Sequence, residues 1–126
     1  MLAMNFNQSP EVIDKMNSIT SLPVGIEVQP DREFNNLLAE LSPDTSWGDR
    51  QIAAKKIGYL RNPEALPWLL AALPVDPFWM VRFAIIQALV MIGDPDAIPA
   101  LHEIAMSDGF QVVRSCAAKA IERLSQ

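Results

Sequence analysis

Apolar residues recur at helical spacing in three successive segments of the chain. They are Phe34, Leu37, Leu38 and Leu41, then Leu66, Leu69, Leu70 and Leu73, then Ile98, Leu101, Ile104 and Ala105. Spacings of three and four residues put each set on one face of an α-helix. Three of the four members of each set correspond at intervals of 32 residues (34, 66 and 98; 37, 69 and 101; 41, 73 and 105), and the longer runs between them repeat at the same interval. Arg50, Arg82 and Arg114 keep that interval, as do Asp44, Asp76 and Asp108. Trp47 answers Trp79, Phe78 answers Phe110, and Pro63-Glu64-Ala65-Leu66-Pro67 answers Pro95-Asp96-Ala97-Ile98-Pro99. A gapless period of this size marks a solenoid of stacked helix pairs.

The period predicts six helices in three pairs: 31–41 with 46–60, 63–73 with 77–92, and 95–106 with 110–125. Asn62 and Asp94 are placed as N-caps, each followed by a proline at the first helical position, where a missing N–H is harmless. Gly93 stands where a left-handed C-cap is expected, and Ser42-Pro43 and Asp76-Pro77 mark turns within pairs. Pro67 and Pro99 fall at the fifth position of their helices and are expected to bend them.

Residues 1–30 do not fit the repeat. Ser9-Pro10-Glu11 is a helix start, and Val12, Ile13, Met16 and Ile19 form an apolar stripe, so 9–20 is expected to be a helix capping the first repeat. A proline- and glycine-containing apolar linker, 21–30, joins it to a repeat domain of residues 31–126 with pairs 31–60, 63–92 and 95–126. The last helix turns polar, with Lys119, Glu122 and Arg123 among Ala117, Ala120, Ile121 and Leu124, and reads as a closing cap.

Half of the 126 residues are apolar, enough for a core and too many for a disordered chain. A net charge of −5 argues against nucleic acid, whose binding rests on dense Lys and Arg. The charge is uneven: 1–43 carry −4 and 76–107 carry −3, whereas 44–75 and 108–126 each carry +1. The single Cys116 excludes an intramolecular disulfide and suits a reducing compartment. The longest apolar stretch, 79–92, is interrupted by Arg82 and Gln87 and falls short of the ~20 residues that span a bilayer. With no basic, apolar leader at its start, the chain is expected to be cytoplasmic, with no membrane partner.

Sites for chemistry are scarce. The one histidine, in His102-Glu103, has no second histidine to share a metal with, so no metal or other cofactor is expected. No Ser-His-Asp set and no glycine-rich phosphate loop can be assembled, and Asp94 and Asp96 are explained by capping. Cys116 aligns with Ala84 and Ile52 on the apolar side of their helices and is expected to be buried and inert. The protein is expected not to be an enzyme.

The run Asp76-Pro77-Phe78-Trp79-Met80-Val81-Arg82, with its continuation Gly93-Asp94-Pro95-Asp96-Ala97-Ile98-Pro99-Ala100-Leu101, closely resembles the prokaryotic HEAT-like repeat named for the phycobilisome lyases. The resemblance covers 31–126 and implies an all-α, right-handed superhelix whose trailing helices line the concave side. Similar repeats occur in scaffolds, regulators, DNA-repair glycosylases, deoxyhypusine hydroxylase and phycobilin lyase subunits. The resemblance therefore also implies, as an alternative, an accessory role in attaching phycobilin to phycobiliproteins or removing it.

On that fold, each trailing-helix Arg (Arg50, Arg82, Arg114) is expected to reach the neighbouring turn and bind its Asp (Asp44, Asp76 and Asp108 being the three) or its backbone, as structural bonds. Trp47 and Trp79 are expected to pack in the inter-repeat turns. In the middle trailing helix, Val81, Ala84, Ile85, Ala88, Leu89 and Ile92 are expected to face inward, with Phe83, Ile86 and Val90 opposite. Gln51 on the first trailing helix shares the position of Phe83, and Lys55, Gln87 and Lys119 form a neighbouring row. The expected picture is an interaction module with an apolar-floored groove. It suits a helix or extended segment of another protein bearing acidic residues, a second copy of the chain, or residues 22–28 folded back.

Overall fold

The computed structural model describes residues 30–126. The packing described below lies within one compact unit, Phe34–Gln126. The capping helix expected over 9–20 and the segment 22–28 lie outside the described residues. The helices are α1 (Pro30–Ala39), α2 (Trp47–Leu60), α3 (Leu66–Ala72), α4 (Trp79–Ile92), α5 (Ile98–Ser107) and α6 (Gln111–Leu124). No strand occurs among the described residues, and the chain is an all-α repeat solenoid. No described helix is long and apolar enough to cross a membrane.

The leading helices α3 and α5 show how the chain accommodates Pro67 and Pro99. Each is preceded by a separate 3-10 turn, Pro63–Ala65 or Pro95–Ala97. The side chains of Asn62 and Asp94 cap these turns by accepting the N–H of Glu64 and Asp96, both at 2.9 Å. The N–H of Leu66 or Ile98 then bonds back three residues, closing the turn. Pro67 and Pro99 thereby become early residues of a fresh α-helix, where no N–H is required. The expected bend is instead a change of helix type.

The trailing helices α2, α4 and α6 are 14 residues each. α4 and α6 start two and one residues later than expected, because Phe78 and Phe110 are extended residues held at the turn by Asp76 and Asp108. α4 ends on Gly93 in the left-handed region (φ 80°), and α2 ends at the same repeat position on Arg61 (φ 54°). The Arg61 guanidinium donates to the Met91 carbonyl at 3.1 Å, tying α2 to the end of α4.

α4 packs between α2 and α6, while α3 and α5 pack on α4 and α6 respectively. The fully buried side chains of Ile57, Leu69, Leu73, Ile85, Leu89 and Leu101 run through one continuous core. Each contributes about 1.5–3 kcal/mol relative to exposure. Being flanked on both sides, α4 is apolar nearly all round.

This arrangement corrects the place given to Ile86. It is 0% exposed and belongs to the core rather than to a groove floor. The same repeat position is Ala54 in α2, also fully buried, and Ala118 in α6, which is exposed. The position therefore faces the following trailing helix, and α4 has one.

Candidate functional site: the groove between α4 and α6

The seam between helix pairs fixes the spacing of the trailing helices. Arg50 Nε lies 2.7 Å from Asp76 Oδ2, and Arg82 Nε lies 2.6 Å from Asp108 Oδ2. In each case Nη2 donates to the other carboxylate oxygen, at 3.2 and 2.9 Å. Oδ1 of Asp76 and of Asp108 also accepts the N–H of Phe78 or Phe110 at 3.0 Å. Nη1 of Arg82 donates to the Asp76 carbonyl at 2.8 Å, and Nη1 of Arg50 donates to the Thr45 carbonyl. Four charged groups are buried here, and each is paired and bonded as a buried ion must be.

An aromatic layer lies over these pairs. Trp47 stacks on Phe78 and Trp79 on Phe110, with centroids 5.8 and 5.9 Å apart. The guanidinium of Arg50 lies 5.7 Å from the Phe78 ring centre, and that of Arg82 lies 5.8 Å from Phe110. The two tryptophans, expected in the turns between repeats, instead head α2 and α4 at the turns within pairs and stack across the seam onto the same turn of the next pair. The ends of the series differ: Asp44 is exposed, and Arg114 is half-buried with Nη1 donating to the Asp108 carbonyl. Burial alone would raise the Asp108 carboxyl. The Arg82 and Phe110 hydrogen bonds and the charges of Arg82 and Arg114 outweigh it and hold the group below its ordinary value.

Held at this spacing, α4 and α6 enclose a groove of about 870 Å³. Phe83, Val90 and Met91 of α4 and Val112 of α6 supply its apolar surface. Lys119 and Arg123 of α6 and Lys55 of α2 supply three cations, and no carboxylate lines it. Of the residues anticipated from sequence, Phe83, Val90, Lys55, Gln87 and Lys119 are brought together here, whereas Ile86 and Gln51 are not. Gln51 is half-buried one turn before Lys55, and the groove reaches α2 only at Lys55 and Tyr59.

Sequence reasoning placed Tyr59 and Met91 only weakly and read Arg123 as part of the closing cap, so it did not set this row on the groove. Its signal was present: the three lie 32 residues apart and one helical turn beyond Lys55, Gln87 and Lys119. Cys116 also lines the groove and is half-buried rather than buried, while Ile52 at the same repeat position is 51% exposed. Desolvation raises the Cys116 thiol more than the Lys119 charge lowers it, so the thiol stays protonated at neutral pH. His102 and Glu103 are exposed on α5. No cluster of three metal-ligating side chains occurs among the described residues.

Family comparison agrees with this architecture: the HEAT repeats match residues 34–122. The chain belongs to the HEAT-repeat family. HEAT repeats generally serve as protein-interaction scaffolds. The match is to HEAT repeats as a class, and no curated protein and no solved structure matches the chain.

Proposed function

We propose that this HEAT-repeat protein is a non-enzymatic interaction module that holds a segment of another protein in the groove between α4 and α6. The observation that carries this reading is the groove's chemistry. In a chain of net charge −5, its apolar surface is bordered by three cations and by no carboxylate. Such a surface buries apolar anchors of a partner and attracts acidic residues beside them. A peptide-display selection against the full chain tests it. The recovered sequences should be apolar and acidic, and they should lose binding to Phe83→Glu while the variant keeps its helical circular dichroism. Lys119→Glu, at an exposed position, provides a second variant whose folding is not at issue. Ligands that bind both variants as well as wild type would place the binding surface elsewhere. Light scattering at two concentrations tests self-association: a dimer split by Phe83→Glu would assign the groove to a second copy.

A further inference from the structure

The groove is not uniform along its length. α4 and α6 occupy the same repeat position and run in the same direction. Around their first halves the lining is neutral, with Phe83, Gln111, Val112 and Ser115. Around their second halves it is basic, with Lys119, Arg123 and, from α2, Lys55. Gln111 and Arg123 mark its two ends along α6, which at 1.5 Å per residue is about 18 Å, or three turns of helix.

Two physical constraints narrow the occupant. First, the described residues offer no strand edge, and the backbones of α4 and α6 satisfy their own hydrogen bonds. An extended segment laid there would leave many N–H and C=O groups unpaired over an apolar floor, whereas a helix pairs its own. Second, carboxylates are favoured in the first turn of a helix and disfavoured in its last, because the helix N-terminus is the positive end of its dipole. A helix that brings acidic residues to Lys55, Lys119 and Arg123 at lowest free energy therefore begins at that end. Resting on the function proposed above, we infer that the occupant is an amphipathic helix with an acidic first turn, docked antiparallel to α4 and α6. Its acidic turn meets the three cations, and its apolar positions three and four apart cover Phe83, Val90 and Met91.

The test uses the full chain and three fluorescein-labelled amphipathic peptides of about 16 residues, a little longer than the groove. All carry the same Leu/Ile stripe; one has Glu in the first turn, one has the same Glu set in the last turn, and one has Lys in the first turn. By fluorescence anisotropy the first should bind about tenfold more tightly than the second, as expected when a few carboxylates move from the favourable to the unfavourable end of the helix dipole. The double variant Lys119→Glu, Arg123→Glu should shift preference to the Lys peptide. A nitroxide on the N-terminus of the first peptide should broaden the amide signals of Lys119 to Arg123 in the nuclear magnetic resonance spectrum. Broadening at Phe83 and Gln111 instead, or equal binding of the two Glu peptides, overturns the antiparallel acidic-helix inference. If Phe83→Glu still abolishes that binding, the groove stands as the partner site. Failure of all three peptides to bind sinks the inference, and the function proposed above falls only if the display selection also yields no ligand sensitive to Phe83→Glu.

Discussion

Arg82 of one helix pair grips Asp108 of the next, Nε to Oδ2 at 2.6 Å, while the Asp108 carboxylate also closes the turn that starts α6. The same group thus caps a local turn and locks two repeats together. Arg50 and Asp76 repeat the arrangement one period earlier, at 2.7 Å. Period, turn and stacking are set by one pair of residue types, which is why the chain keeps them in register without a gap.

Removing one member of such a pair strands a buried charge. Arg82→Met should destabilise the protein by about 3–5 kcal/mol, and Arg50→Met by a similar amount. Arg114, half-buried and bonded in the described residues only to the Asp108 carbonyl, should lose far less as Arg114→Met, about 1 kcal/mol. Urea-unfolding midpoints of the three variants measure this. Equal losses for Arg82→Met and Arg114→Met would show that the ion pair is not the source of the seam's stability.

The same pair makes stability pH-dependent. Asp108 titrates below its ordinary value of 3.8 in the folded chain. Above that value both folded and unfolded forms are ionised and the stabilisation is fully present. As pH falls below it, the unfolded chain takes up the proton first, so stability is lost down to the depressed folded value. Urea midpoints between pH 7 and pH 3 should therefore fall more steeply for wild type than for Asp108→Asn at the acid end, and run parallel above about pH 5. Parallel curves at the acid end would contradict the depressed titration.

The six helices and the seam partners were legible in the sequence because they rest on strict period and on local rules. Asn62 and Asp94 announce their turns, and a 32-residue spacing of Arg and Asp leaves few geometries for contact. The groove was only partly legible. A helical wheel separates two faces of α4, but the helix has neighbours on both flanks, so Ile86 is covered by a contact that no wheel contains. Cys116 was misplaced for a related reason: its position faces the preceding trailing helix, and how far a side chain larger than alanine reaches past that helix is a matter of packing.

Core and groove positions on α4 separate by their response to truncation. Ile86→Ala removes fully buried methyl groups beside tightly packed neighbours and should destabilise by about 2–5 kcal/mol. Phe83 is half-buried at the groove, so Phe83→Ala should cost less, about 1–2 kcal/mol. Thermal and urea unfolding of the two variants side by side decide it. A larger loss at Phe83 would mean that Phe83 is a core residue and that the groove floor lies elsewhere.

Gly58 sets how closely α2 approaches α4. A Cβ built there would meet the Ala88 Cα at 2.9 Å and the Met91 Sδ at the same distance. Met91 can swing aside, but the Ala88 backbone cannot, so the two helices must separate. Alanine is the better helix former by about 1 kcal/mol, and overpacking of this kind costs about 1–3 kcal/mol, so Gly58→Ala should be destabilising on balance. Gly48 is the control on the same helix: nothing lies within 4 Å of its built Cβ, and Gly48→Ala should stabilise by up to about 1 kcal/mol. Because Met91 and Tyr59, the neighbour of Gly58, line the groove, Gly58→Ala should also weaken peptide binding there, which Gly48→Ala should leave intact. Two alanines that stabilise α2 alike would show that the close approach of α2 to α4 is not needed by the fold.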